Sequence, residues 1–315
     1  MNIKKIFLIY DSRSGSTYLS SRLNAKLRNY IVTPEINLNL FFELCIKDKA
    51  VTSTKIINAL KAGRVFDKLG IPIEIFRAKL NEFNVSQSID ALDILLELYI
   101  KRIILDGIQI EGVIIKKGDH HKKVKCIVND IPDVKFIYLS RDPRQIYESK
   151  KRTIRPYVPG QTMGWAGPIV SAVIWTRYEK CYNWIKEHAD GLEVRYEALV
   201  ENEDAEIERI RGYLSAERDY SEEKRYEIPE LEQSIHTRVD QKRLDPMAAG
   251  DWLKSLTYTE IGAIEFAARP FLSNKGYQQY SMSEFYRICC FLIRLPELPL
   301  RLVYGKICTY RNQLK

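Results

Sequence analysis

The chain opens with an unbroken apolar run over residues 6–10, Ile-Phe-Leu-Ile-Tyr, in which no polar residue alternates with the apolar ones. A run this short, rich in branched and aromatic side chains, predicts a parallel strand buried on both faces in the middle of a sheet. Directly after it Tyr18, Leu19, Leu23 and Leu27 recur at helical spacing, so residues 17–27 are predicted helical and Arg13-Ser14-Gly15-Ser16-Thr17 forms the turn between the two. Tyr30-Ile31-Val32 predicts a short second strand, and Thr33-Pro34-Glu35 a break before the apolar Leu38, Leu40, Phe41, Phe42 and Leu44. Residues 48–110 read as helical, with Ser88 placed to cap a long helix through Ile104 that buries Leu92, Leu95, Leu96, Tyr99 and Ile103. Residues 112–115 predict a third buried strand, and residues 134–139 a fourth followed by a helix that opens with Pro143. An amphipathic helix over 169–185 carrying Trp175 and Trp184, a strand segment over 192–200 and a helix over 205–214 continue the alternation. Together these predict an α/β single domain, a central parallel sheet flanked by helices on both sides.

Composition narrows the class. At 315 residues, 45% hydrophobic and 29% charged, with no repeat or low-complexity tract, the chain is expected to fold around one large core. Its six cysteines, at 45, 126, 181, 289, 290 and 308, follow neither metal-ligand spacing nor a disulfide framework, so reduced thiols and no metal site are expected. Met1-Asn2-Ile3-Lys4-Lys5 runs straight into the first strand, and no apolar stretch approaches the ~20 residues needed to span a bilayer, so a cytoplasmic protein is expected. The net charge of +8 favours anionic ligands or surfaces. Without an aromatic-interleaved basic patch or a recognition motif, nucleic acid is not expected as a partner.

Candidate chemistry concentrates at strand ends. A strand-to-helix turn aims several backbone N–H groups and the positive end of a helix dipole at one spot, which makes an anion site. Gly15 permits close backbone approach, Ser14, Ser16 and Thr17 add hydroxyl donors, and Arg13 supplies a forked positive charge. The nucleoside-triphosphatase pattern GxxxxGK[ST] is absent, since neither its first glycine nor its lysine is in place, which disfavours ATP. At the end of the fourth strand, Arg141 and Ser149 lie about two helical turns apart, able to serve one phosphate if the helix bends back. Glu35, just past the second strand, reads either as a general base or as a helix-start carboxylate complementing the dipole. The stretch Lys116-Lys117-Gly118-Asp119-His120-His121 offers His120 or His121 as a second candidate base, against a solvated surface loop.

These motifs, in this order, resemble the sulfotransferases that use 3′-phosphoadenosine 5′-phosphosulfate (PAPS). Their first strand ends in a basic residue followed by Ser-Gly-(Ser/Thr)-Thr, and an Arg at a later strand end with a Ser eight positions on holds the 3′-phosphate of the nucleotide. The resemblance covers roughly residues 4–278 and is closest, in the Arg-Ser-Gly-Ser loop followed by a Glu, to carbohydrate sulfotransferases. It implies a P-loop-like sulfotransferase architecture with PAPS as cosubstrate and no metal. Arg13, Ser14, Gly15, Ser16, Thr17, Arg141 and Ser149 would bind the donor. Glu35 would take the acceptor's proton, and Arg13 with the N–H groups of residues 14–17 would stabilise charge in the transition state. His120 resembles, at a longer spacing from Lys116, the His of a Lys-Thr-His strand end in cytosolic sulfotransferases. Arg195-Tyr196-Glu197 looks like a structural corner common in this superfamily. Gly250-Asp251-Trp252 resembles a segment preceded in relatives by an Arg-Lys-Gly triplet on the 3′-phosphate. Here Asp245 and Pro246 stand at the matching positions, leaving Arg238, Lys242 or Arg243 as substitutes. The implied acceptor is a glycan or glycolipid, with small phenols or alcohols second. A nucleotide or sugar kinase and a non-catalytic nucleotide-binding module are the rivals from other classes.

From Tyr280 onward the resemblance ends, so residues 1–280 are assigned to the domain and 281–315 to a basic amphipathic tail. That tail holds Arg287, Arg294, Arg301, Lys306, Arg311 and Lys315 against Glu284 and Glu297, a net +4 and half of the chain's excess. Its Phe285, Tyr286, Ile288, Phe291, Leu292 and Leu295 alternate with Arg287 and Arg294, which share one helical face. The expectation is either a face packed on the domain or in a dimer interface, or a peripheral contact with anionic lipid.

Overall fold

The computed structural model describes residues 3–47, 52–83, 88–103, 108–155, 160–219 and 252–297. Five strands, β1 (Lys4–Tyr10), β2 (Tyr30–Val32), β3 (Gly112–Lys116), β4 (Lys135–Ser140) and β5 (Asp190–Arg195), form one sheet in the order β2-β3-β1-β4-β5. Every pairing is parallel, with Ile6 opposite Ile114 on one side of β1 and opposite Lys135 on the other. The apolar run that opens the chain is therefore the central strand. Alternate side chains of β1 serve two cores, because successive Cβ atoms point to opposite faces. Phe7 and Ile9 pack with Phe41, Leu60, Leu95 and Tyr178, whereas Ile6, Leu8 and Tyr10 pack with Leu19, Leu23, Leu199 and Ile210.

The connections divide accordingly. The chain leaves β1 through α1 (Ser16–Lys26), whose Leu19 and Leu23 belong to the second core. Between β2 and β3 come α2 (Asn39–Lys47), α3 (Ser53–Ala62), α4 (Val65–Leu69), α5 (Ile73–Glu82) and α6 (Ser88–Ile103), which cover the first core. The expected long helix begins at Ser88 itself. After β3 follow a 3₁₀ turn (Gly118–Lys123), where the sequence predicts a loop, and α7 (Val124–Asp130). Beyond β4 come α8 (Pro143–Arg152) and α9 (Gly167–His188), and beyond β5 come α10 (Tyr196–Glu201) and α11 (Glu203–Leu214). The strand segment expected over 192–200 thus ends at Arg195. Tyr196, Leu199 and Val200, at i, i+3 and i+4, bury one face of a helix instead.

The connections leave β1 and its neighbour β4 on opposite faces of the sheet, α1 on one and α9 on the other. In an open parallel sheet the crevice at such a switch point, outside the carboxyl ends of the strands, is where ligands bind. Both predicted anion segments, after Tyr10 and after Ser140, end there.

A third cluster joins Ile146 and Tyr147 of α8 and Trp175 of α9 to Trp252, Ile261, Ile264 and Leu272, the last three on the helix Tyr258–Leu272. Through it runs a chain of buried charge. Arg144 pairs with Asp142 at 2.7 Å and with Glu265 at 2.6 Å, and Glu265 pairs in turn with Arg287 at 2.9 Å. Signs alternate along it, and Arg144 also lies 4.2 Å over the Trp252 ring. Arg287 belongs to the C-terminal helix Glu284–Arg294, so the described part of the segment beyond Tyr280 is ion-paired to the helix Tyr258–Leu272. Arg287 and Arg294 do share a face, as expected, but that face turns inward: Arg294 donates to the hydroxyls of Thr257 and Thr259.

Glu265 is fully buried between two guanidinium groups, so Glu265→Ala should destabilise the protein by about 3–5 kcal/mol by leaving Arg144 with Asp142 alone and Arg287 with only the longer contact to Glu284. A urea midpoint within error of wild type would show that water reaches this chain of charges.

Candidate active site

The turn after β1 is built on two residues in left-handed backbone conformation, Arg13 at φ 72° and Gly15 at φ 95°. Such residues curl consecutive N–H groups into a concave nest. Ser14 closes the curl, its hydroxyl donating to the Asp11 carbonyl at 2.7 Å and its N–H to the same oxygen at 3.2 Å. Ser14, Ser16 and Thr17 are buried and Arg13 and Gly15 half-buried. No acidic residue occupies the first turn of α1, so nothing offsets the positive end of its dipole. Gly15 is required twice over: a Cβ there would meet a positive φ and lie 2.4 Å from the Tyr196 ring.

The segment after β4 lies against this turn. Asp142 caps α8 by accepting from the Arg144 N–H at 2.8 Å, with Pro143 in the first turn, and its own N–H donates to Glu197 Oε1 at 2.9 Å. Arg141 donates to the Arg13 carbonyl at 2.9 Å and to Gln145 at 3.0 Å, and its guanidinium sits 4.0 Å over the Tyr196 ring. Its carbonyl accepts from the Trp175 indole at 3.0 Å. Arg13 Nε donates to Ser149 Oγ at 3.0 Å. Arg13 therefore meets Arg141 and Ser149, each more than a hundred residues away in sequence. Burial and the nearby charges of Arg141 and Arg152 push the Arg13 guanidinium down to about 10, so it stays charged at neutral pH among other cations. Lys150, next to Ser149, reaches across to Asp11 with bonds of 2.7 and 2.8 Å, and both side chains are buried.

On the other flank, Lys116 ends β3 with only 1% of its surface exposed and its Nζ 3.3 Å from the Thr17 hydroxyl. Glu35 Oε1 accepts from Lys117 Nζ at 2.7 Å. Burial alone would raise the Glu35 carboxyl, but Lys117, Lys116 and Lys68 together outweigh it and hold it below the ordinary carboxylate range. Gly118 presses the 3₁₀ turn onto the end of β1, since a Cβ there would lie 2.1 Å from the Tyr10 carbonyl oxygen. This turn separates the two histidines. His120 points into the core between Phe7 and Phe42 and is completely buried; its Nε2 accepts from the Leu38 N–H at 3.2 Å. Burial, with help from Lys117 and His121, drives it down to about 3. His120 is thus a core residue that holds the start of α2, not part of the solvated surface loop that was its alternative to a base. His121 is half-buried, its ring tilted against that of Tyr178 with centroids 4.1 Å apart, and its Nδ1 is bonded to the Gly118 carbonyl at 3.2 Å. Burial lowers its basicity against the opposing effects of Gly118 and Asp119.

Sequence reasoning missed Asp11, Lys150, Lys116 and the role of Tyr196 as the ring on which Gly15 and Arg141 rest. One signal was available: a lysine closing a strand whose other residues are all buried has its ammonium at the carboxyl edge of the sheet. Arg238, Lys242, Arg243, Asp245, Pro246, Gly250 and Asp251 lie outside the described residues.

A family model described as "Sulfotransferase family" matches residues 6–220. Among solved structures, a sulfotransferase domain from the curacin biosynthetic pathway is similar with a TM-score of 0.59 and 15% identity, over 88% of this chain and 99% of that one. A sulfotransferase domain from the Synechococcus PCC 7002 olefin synthase gives 0.58 and 19%, over 88% and 96%. At these identities the likeness is one of fold. No curated protein matches the chain by sequence.

Gly15→Ala should cost well over 1 kcal/mol, because both the positive φ and the Tyr196 ring oppose it, and the double variant with Tyr196→Ala should recover only the steric part. Denaturant midpoints of the three variants check this; an unaffected Gly15→Ala protein would mean that the turn does not hold this conformation.

Proposed function

The chain belongs to the sulfotransferase family, and from that premise we propose that it moves a sulfuryl group from PAPS to a hydroxyl of a carbohydrate or glycolipid. One observation carries the reading: Arg13 and Arg141, on different turns, converge with Ser149 at the carboxyl ends of β1 and β4. PAPS has two anionic ends on one nucleoside, and two adjoining groups of donors suit it. The β1 turn, with its nest and acid-free helix start, suits the 5′-phosphosulfate, and Arg141 with Ser149 the 3′-phosphate.

In the proposed reaction the acceptor oxygen attacks sulfur, and the bond from sulfur to the bridging phosphate oxygen breaks. Adenosine 3′,5′-bisphosphate leaves, and the acceptor's proton passes to the Glu35 carboxylate. Arg13, Lys116 and the N–H groups of residues 15–17, the Ser14 N–H being taken by the Asp11 carbonyl, are preorganised where charge grows on the bridging oxygen and the sulfuryl oxygens. Glu35 is favoured as base over His120, whose acceptor nitrogen is already occupied by a backbone N–H. His121 supports a second reading. With its Nδ1 proton held by the Gly118 carbonyl, Nε2 is left as the acceptor and the ring is neutral at pH 7.

The carbohydrate acceptor rests on the Arg-Ser-Gly-Ser loop followed by Glu35. Radiolabelled PAPS offered with a panel of glycans, glycolipids, phenols and alkyl alcohols tests it. Transfer to phenols or alcohols alone would replace that acceptor, and Mg²⁺-dependent transfer from ATP would replace the reaction.

Two further outcomes are expected. Arg141→Ala and Ser149→Ala should each weaken binding of adenosine 3′,5′-bisphosphate by about ten- to a hundredfold in calorimetry with EDTA, while hardly changing that of adenosine 5′-phosphosulfate, which lacks the 3′ group. Equal losses for both ligands would mean the 3′-phosphate is misassigned. Secondly, a base works only when unprotonated, and Glu35 stays ionised down to pH values below the ordinary carboxylate range. The rate should therefore be flat from neutral pH into the mildly acidic range and fall only below about 4.5, with Glu35→Gln abolishing transfer but not nucleotide binding. A fall setting in just below about 6.5, together with loss of transfer in His121→Ala but not in Glu35→Gln, would assign the proton to His121 instead.

A further inference from the structure

The C-terminal helix Glu284–Arg294 docks by its polar side. Arg287 is buried against Glu265, Arg294 bonds Thr257 and Thr259, Cys290 packs on Gly262, and Phe291 lies 4.9 Å from Phe266. The opposite side remains in solvent: Phe285 is 75% exposed, Ile293 65%, Leu292 55% and Tyr286 48%. At 100° per residue, Phe285, Cys289, Leu292 and Ile293 fall in one stripe. Because ion pairs and hydrogen bonds already hold the helix, this apolar stripe is not needed to attach it. A contiguous exposed apolar face marks an interaction surface.

We propose that this face docks on the surface of an anionic lipid bilayer. The chain that follows argues for that occupant. Residues 298–315 carry Arg301, Lys306, Arg311 and Lys315 with no acidic residue, interspersed with Leu298, Leu300, Leu302, Val303 and Ile307. An apolar helical face continued by a basic, apolar-rich segment combines the two terms that bind proteins to anionic interfaces, partition of apolar side chains and attraction to headgroups. Arg287 and Arg294 are excluded as the headgroup contacts, since both are engaged by the domain. The helix lies along the surface instead of crossing it: among the described residues no helix is long and apolar enough to span a membrane. The inference is independent of the donor and the acceptor.

The test is flotation of the full chain with phosphatidylcholine vesicles that do or do not contain phosphatidylglycerol. Wild type should float with the anionic vesicles at low salt and be released at high salt. Leu292→Asp with Ile293→Asp should weaken this by at least about tenfold, and Arg301→Gln with Lys306→Gln should reduce the salt-sensitive part. Both exposed aspartates should leave the urea midpoint unchanged, and Phe285→Asp serves as a second variant if they do not. Wild-type protein that stays with the bottom fraction, or Asp variants that float equally well, would overturn the proposal. So would light scattering that finds a dimer without lipid which the Asp variants split, because the face would then belong to a second copy of the chain.

Discussion

The buried bond between Asp11 and Lys150 joins the two halves of the site. Because β1 and β4 are neighbours and parallel, the chain turns that leave them must abut, and each brings cations: Arg13 from one, Arg141 and Arg152 from the other. Left alone, such a cluster would force the turns apart. Lys150 is itself a cation, but its ammonium is neutralised by a two-pronged contact with Asp11, and that contact ties α8 to the residue that starts the β1 turn. A buried pair of this kind gives little net stability, since desolvation consumes most of the Coulomb gain, yet losing one partner is severe. Its effect is geometric: it fixes α8 against the residue that starts the β1 turn and so sets the distance between the two turns.

The same logic of alternating charge extends away from the site. Asp142 caps α8 and pairs with Arg144, Arg144 with Glu265, and Glu265 with Arg287 on the last helix. The backbone N–H of Asp142 is in turn held by Glu197, next to the Tyr196 ring that supports Gly15 and Arg141. The C-terminal helix is therefore linked through three ion pairs to Asp142, the residue that follows Arg141. A polar clamp of this kind also frees the helix to present an apolar face outward, which an ordinary amphipathic attachment could not do.

Much of this was legible in the sequence. The buried strand Lys4–Tyr10, the turn after it and the strand–break–helix at Arg141 all rest on local patterns, which local physics decides. That Arg13 touches Ser149 was anticipated only as far as one sheet brings strand ends together. What could not be read depended on which way a side chain turns. His120 and His121 are adjacent and identical in type, and only the 3₁₀ turn, forced close by Gly118 against Tyr10, sends one into the aromatic core and leaves the other against Tyr178. Arg287 and Arg294 occupy one helical face in any reading. Whether that face meets solvent or Glu265 is decided by a carboxylate more than twenty residues away. The passage from β5 into α10 was obscured because Tyr196, Leu199 and Val200 suit a buried face of either kind.

The lysines around Glu35 set a limit on the proposed chemistry. Lys117, Lys116 and Lys68 keep the carboxylate ionised, and by doing so they make it a weaker base than a free glutamate. A weak base is of little use where proton removal must precede attack. In transfers through a loose transition state, however, the bond to the leaving group is largely broken before the nucleophile is fully engaged, so the acceptor hydroxyl becomes strongly acidic only late. A carboxylate that is always ionised and already in place then serves better than a stronger base that is half protonated. In the proposed reaction the positive field that depresses Glu35 would also steady charge on the departing phosphate, since Lys116 lies 3.3 Å from the Thr17 hydroxyl of the turn and acts on Glu35 through its charge. Donor activation and acceptor deprotonation would then be tuned by one set of cations, and a stronger base would come only with a weaker hold on the donor.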